Sequence, residues 1–146
     1  MGNAYAIMKD ERLIFEVWAG KITKEELFQH ERRHLRDPDF PVSPRLLVDI
    51  TGASFDLTAG EEEIQTFIAL YQEHRDRITG AKVAIVATKD FNLAKVYEKH
   101  ALTLSIDVIV FNEIGNACTW LGVDETEARA WMNSKRTLLL SSSSIA

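Results

Sequence analysis

The five residues HERRH, from His30 to His34, match a spacing that zinc proteases use. Two histidines four positions apart on a helix share one face and can hold zinc, while the glutamate between them can act as a general base. Here Arg32, Arg33 and Arg36 load that helix with positive charge, which opposes the binding of a dication. No third ligand is evident further along the chain. We therefore expect a charged amphipathic helix with exposed or half-packed histidines, no metal and no catalytic residue.

A second group of polar side chains begins in the apolar segment from Leu46 to Ile50 and continues beyond it. Its members are short and carry oxygen: Asp49, Thr51, Ser54, Asp56 and Thr58. Such side chains can satisfy backbone groups in a tight connection, or they can contact a ligand or a protein partner, and both interpretations stay open. Because ligands bind at the carboxyl ends of parallel strands, Lys89 and Asp90, which follow the next predicted strand, join the candidate binding loop.

Thr58 is the candidate phosphorylation site within this group. With Glu61 it forms a capping box, which predicts that Thr58 is the N-terminal cap of a helix. A phosphate there would gain from the helix dipole. It would also face the acidic run from Glu61 to Glu63, which repels it.

Composition narrows the class of protein. The chain has 146 residues, 46% of them hydrophobic, and a net charge of −5. Nucleic acid is not expected as a partner, because phosphate binding needs a basic face. The one cysteine, Cys118, excludes an internal disulfide and fits a reducing compartment. With no signal-peptide pattern and no apolar run of membrane-spanning length, we expect a cytoplasmic protein without a cofactor.

The apolar periodicity predicts the order β-β-α-β-α-β-α-β-α-α. Strands that alternate with helices form parallel sheets through right-handed crossovers. The first two strands, around residues 10–11, read as a hairpin. The sequence therefore predicts an α/β fold whose mostly parallel sheet carries an antiparallel strand at its N-terminal edge.

The segment LLVDITGASFDLTAG, residues 46–60, resembles the signature of STAS domains of the SpoIIAA type, the anti-sigma factor antagonists. In that family a strand leads into a turn and a helix N-terminus, and the phosphorylated serine directly follows the turn aspartate. Here Leu57 stands at that position, so Thr58 is the nearest hydroxyl. The segments FEVWAGKITKEEL, GAKVAIVATKDF, VIVFNE and NACTWL resemble the SpoIIAA-like branch near CRAL-TRIO lipid-binding domains.

The resemblance implies a fold and two functions. It implies helices stacked mainly on one face of the sheet. The STAS relation implies a non-enzymatic regulatory or protein-interaction domain that contacts its partner through the candidate binding loop. The CRAL-TRIO relation implies a carrier or sensor of a small apolar, lipid-like ligand.

The resemblance covers most of residues 5–122. We predict one domain over residues 1–123 and, in residues 124–146, a C-terminal helical extension with a frayed, serine-rich tail. Apolar residues on that helix include Ala128, Trp131 and Met132. A sheet covered mainly on one face would leave apolar surface in water, which is unusual for a monomer. We expect the extension to form a homodimer interface anchored by Trp131 and Met132; the alternative is that it covers its own chain.

Overall fold

The computed structural model describes residues 2–56 and 61–145, and the candidate phosphorylation site Thr58 lies outside these residues. Within them, five strands form one sheet in the order β1-β2-β3-β4-β5. The strands are β1 (Asn3–Met8), β2 (Leu13–Thr23), β3 (Arg45–Asp56), β4 (Lys82–Val86) and β5 (Asp107–Phe111). The β1–β2 pair is antiparallel and the other three pairs are parallel, which confirms the predicted mixed sheet.

The described helices alternate with the strands after β2. They are α1 (Lys24–Arg36), α2 (Glu61–Gln72), α3 (Arg75–Ile78), α4 (Phe91–Ala101), α5 (Ile114–Leu121) and α6 (Glu125–Ile145). None of them is long and apolar enough to cross a membrane.

Helices lie on both faces of the sheet, with the larger number on one. The first face packs α1 to α4 against alternate strand residues such as Ile14, Val48 and Val83. The second face packs α5 and α6 against the intervening residues, including Phe15 and Leu47. Apolar residues on both sides of the central strands therefore have helices of this chain as their cover.

Two capping side chains and a glycine define three of the helix ends. The Thr23 side chain accepts a hydrogen bond from the Glu26 backbone N–H at 3.2 Å, at the start of α1. Asp124 does the same for Glu127 at 2.8 Å before α6. Gly122 ends α5 in the left-handed conformation, with φ +70°, which costs glycine little.

Two elements are longer than the sequence predicts. Strand β3 continues to Asp56 rather than ending at Ile50, because residues 52–56 pair with residues 19–23 of β2 after a bulge beyond Val17. Helix α6 continues to Ile145, where a frayed tail after Lys135 was expected.

Candidate functional site

Three ionisable side chains meet beneath α1 on the first face of the sheet. Glu16 comes from β2, and Glu31 and His34 come from α1. All three are buried. We call them the acid–histidine cluster. The expectation of exposed or half-packed histidines is wrong, since His30 is buried as well.

The geometry of β2 and α1 explains why these three side chains lie together. In β2, Leu13, Phe15 and Val17 point to the second face, so Glu16 points to the first, where α1 lies. Glu31 and His34 are three residues apart and share one side of α1. The buried side of α1 thus carries a histidine and a second carboxylate that both face Glu16.

Distances within the cluster are short. His34 Nδ1 lies 3.1 Å from Glu16 Oε1 and 4.0 Å from Glu31 Oε1. The three ligand-type atoms all lie within 4.8 Å of one another. One imidazole and two carboxylates therefore converge on one point.

The remaining polar atoms of the cluster are held by neighbours. His34 Nε2 lies 3.0 Å from Asn3 Oδ1. Trp18 Nε1–H donates to Glu16 Oε2 at 2.5 Å, and the Tyr71 hydroxyl donates to Glu31 Oε2 at 2.7 Å. Buried polar groups need such partners, and these bonds fix the orientation of each cluster side chain.

Burial and like charge govern the protonation of Glu31. Desolvation, together with the Glu16 carboxylate, raises the pKa of Glu31 from 4.5 to about 7. Burial lowers the pKa of His34, but the charge and hydrogen bond of Glu16 and the charge of Glu31 together outweigh burial, so the pKa of His34 is raised. Glu16 therefore favours the charged form of His34, and the pKa of Glu31 beside them is about 7.

Two tyrosines lie beyond Glu31. Burial raises the pKa of Tyr71 and that of Tyr97, and the negative charge of Glu31 adds to both shifts. Their rings pack edge to face with centroids 6.0 Å apart. Both hydroxyls therefore stay protonated at neutral pH and can donate hydrogen bonds.

A cavity of about 130 Å³ lies between the sheet and α1, α2 and α4. Most of its lining is apolar, from residues such as Val48, Ile85, Phe67 and Ala94, and the acid–histidine cluster also lines it. An engineered protein cavity of roughly 150 Å³ binds benzene. The space therefore suits a molecule about the size of one aromatic ring, with polar groups on its wall.

The architecture has a solved counterpart. The crystal structure of an uncharacterized DUF3478-family protein with a SpoIIAA-like fold, from Shewanella loihica PV-4, is similar to this chain with a TM-score of 0.55. The alignment covers 82% of this chain and 94% of that one. This chain has a SpoIIAA-like fold. Sequence identity over the match is 17%, so the likeness is one of fold.

No protein-family model matches this chain, and neither does any curated protein. The SpoIIAA-like architecture thus rests on backbone similarity and on the motifs of the sequence. The relation to CRAL-TRIO domains stays a prediction.

The SpoIIAA-like sheet separates the predicted loop residues into two groups. Asp49 and Thr51 face the second side, beneath α6. Asp49 Oδ1 accepts hydrogen bonds from the Thr51 backbone N–H at 2.9 Å and from its hydroxyl at 2.7 Å. Asp49 also forms an ion pair with Arg136 of α6. These contacts favour the structural interpretation of both residues.

The other predicted loop residues lie at the ends of β3 and β4. Asp90 Oδ2 accepts a hydrogen bond from the Phe55 backbone N–H at 3.2 Å, so the two predicted segments do meet. Ser54, Asp56 and Lys89 are exposed around that contact.

The predicted interface residues lie on the second face. Met132 is 1% exposed and belongs to the apolar cluster of its own chain. Trp131 is half-buried, with its ring 5.8 Å from that of Phe15. This arrangement favours the alternative in which α6 covers its own sheet.

Sequence reasoning missed the acid–histidine cluster because it judged HERRH as a pair of histidines. The signal was Glu16, a lone acid inside the apolar strand segment LIFEVW. A charged residue on a strand covered on both faces needs a buried partner. The charged side of the following helix, α1, supplies that partner through His34.

Proposed function

We propose that this protein binds a small, largely apolar molecule in the cavity beneath α1, α2 and α4. The observation that supports this is the cavity of about 130 Å³ lined by apolar side chains. Ligand pockets combine mostly apolar walls with a few placed polar groups. Glu31, Tyr71 and Tyr97 supply those groups here. The binding would make the protein a carrier or a sensor.

The volume of the cavity limits the size of the ligand. A single aromatic ring is the expected scale, and one hydrogen-bonding substituent could reach Glu31 or the tyrosine hydroxyls. We expect phenol and benzene as probes to raise the melting temperature of the purified protein. Native mass spectrometry of freshly purified protein would show a retained adduct of that size.

A matched pair of variants tests whether the probes bind in this cavity. Ala94 is buried in the wall of the cavity, and Ala94→Leu should fill part of it and abolish the thermal shift. Lys99→Leu adds an apolar side chain at an exposed position of the same helix and should keep the shift. No stabilisation of the parent protein by either probe, together with a clean apo mass, would contradict the proposal.

A regulatory protein-interaction domain is the second candidate. What supports it is the junction of β3 with the segment before α4, where the Asp90–Phe55 hydrogen bond brings exposed Ser54, Asp56 and Lys89 to one edge. Lys89→Glu reverses the charge at this edge and should leave the thermal shift with benzene and phenol unchanged. That result would separate this function from ligand binding. A partner captured by the parent protein and lost with Lys89→Glu would favour the interaction domain.

A further inference from the structure

We propose that Glu16, Glu31 and His34 bind one divalent transition-metal ion, with Zn²⁺ as the best match. The donor set is one imidazole nitrogen and two carboxylate oxygens, all within 4.8 Å of one another. Catalytic zinc sites use three protein ligands of these types and leave a further position open. Because the same residues line the cavity, that open position would face it.

The geometry requires side-chain movement, because the ligand atoms lie up to 4.8 Å apart. Metal–nitrogen and metal–oxygen distances near 2.0–2.2 Å place ligand atoms about 3–3.5 Å apart in a tetrahedral site. The separation between His34 Nδ1 and Glu16 Oε1 is already 3.1 Å. The 4.0 Å separation between His34 Nδ1 and Glu31 Oε1 has to shorten by a few tenths of an ångström or more. Rotation of the glutamate carboxylate supplies this without moving the backbone.

Each ligand also has an outer hydrogen bond of the kind that metal sites use. A metal-bound histidine commonly donates its other N–H to an oxygen acceptor. His34 Nε2 faces Asn3 Oδ1 at 3.0 Å, which leaves Nδ1 for the metal. Trp18 and Tyr71 hold the outer oxygens of Glu16 and Glu31 at 2.5 and 2.7 Å. The inner atoms of all three side chains are thereby aimed at one another.

A dication can balance both carboxylates of the cluster at once. Two buried carboxylates face one histidine, so an imidazolium neutralises only one of them, and the other has to take up a proton because an unpaired buried charge is costly. A divalent ion with neutral His34 neutralises both. On binding, the Nδ1 proton of His34 leaves to solvent, together with any proton on the glutamates, because ligands must be deprotonated.

The arginines that argue against metal in the sequence are exposed or contact His30, and of them Arg33 still lowers the pKa of His34. Arg32 and Arg36 are exposed. Arg33 contacts His30, with Nη2 2.6 Å from His30 Nδ1. His30 is therefore not a ligand in this proposal, which distinguishes the site from a zinc-protease helix and supplies its control.

The experiment uses full-length protein stripped with EDTA and then titrated with ZnCl₂, with metal content measured after gel filtration. We expect one Zn²⁺ per chain. His34→Gln and Glu16→Gln should each reduce the affinity at least 100-fold, whereas His30→Gln should keep the parent value. Tyr71→Phe removes the outer hydrogen bond to Glu31, together with the hydrogen bond between Tyr71 and Tyr97, and should weaken binding about 10–100-fold.

If a variant fails to fold, X-ray absorption of the zinc-loaded parent protein still identifies the ligands. The spectrum should show one imidazole ligand per zinc. No stoichiometric zinc in the parent would overturn the proposal, as would two imidazoles or loss of binding with His30→Gln. The metal site shares Glu31 and the cavity wall with the proposed ligand site, but benzene and zinc titrations are read separately, so the failure of one proposal is distinguishable from the failure of the other.

Discussion

Glu31 couples the stability of the fold to pH. Its pKa is raised from 4.5 to about 7 by burial and by Glu16, so the folded protein holds this proton more tightly than the unfolded chain does. The contribution is fully present below about pH 4.5 and is lost as pH rises through 7. In metal-free protein, the free energy of unfolding should therefore fall by up to roughly 3 kcal/mol between pH 5 and 8. Urea unfolding in EDTA measures it.

The control for this prediction is Glu31→Gln, which keeps the shape and removes the titration. It should flatten most of the slope. A smaller loss should remain because the pKa of His34 is also raised, through Glu16. Glu73→Gln, at an exposed position, should retain the parent profile. A slope of the same size in Glu31→Gln would show that another group carries the pH dependence.

The contacts of a single side chain can be predicted from the sequence only where its partner lies a few positions away along the chain. The caps at Thr23 and Asp124 bond to residues three positions away, and both are visible as a motif. Glu16 and Glu31 meet through the packing of α1 on β2, which depends on strand register and helix rotation together. No pattern within either segment predicts that contact, so the acid–histidine cluster is evident only in the structure.

Helix α1 depends on its cap, and this gives an element-scale prediction. Thr23→Ala removes the acceptor for the Glu26 N–H and should destabilise the protein by about 1 kcal/mol. Thr23→Asp keeps an acceptor and suits the helix dipole, so it should cost less than half as much. Thermal denaturation of both variants measures the difference. Equal losses would mean that the side-chain oxygen of Thr23 does not stabilise α1.

The pair of Asp49 and Arg136 fastens α6 to β3. Asp49 is 3% exposed, and Arg136 also contacts Asn133 at 2.8 Å. Arg136→Ala leaves a buried carboxylate with only the Thr51 bonds and should cost about 2 kcal/mol, less than a fully buried pair. Arg129→Ala breaks the exposed pair with Glu125 and should cost under about 1 kcal/mol. Urea unfolding that ranks the two equally would contradict this role.

Element order and type follow from apolar periodicity, since each strand and helix carries its own pattern. The end of β3 does not, because glycine and short polar residues at 52–56 are typical of a turn. Pairing with residues 19–23 of β2 overrides that local preference. The same pairing places the predicted loop residues Ser54 and Asp56 in a strand.

For the whole molecule, the predicted homodimer remains open to test. Met132 is already buried within its chain, so a dimer through α6 would use Trp131 and the exposed Leu138, which lie seven residues apart on one side of the helix. Such a dimer would give twice the chain mass in light scattering at high concentration. Trp131→Ala should return the mass to that of one chain, while Arg129→Ala should not. A strictly monomeric parent protein would end the dimer prediction.

Removal of α6 tests what covers the second face of the sheet. A chain that ends after Asp124 loses Ala128 and Met132, whose side chains pack in the cluster with Phe15, Val17 and others. Losing a buried methionine-sized side chain alone costs about 2–5 kcal/mol, and the exposed face would measure several hundred Å², which promotes association. We expect the truncated chain to melt at least 10 °C lower and to self-associate in light scattering. An unchanged mass and melting temperature would show that α6 is dispensable, and the assignment of the second face to this helix would then be wrong.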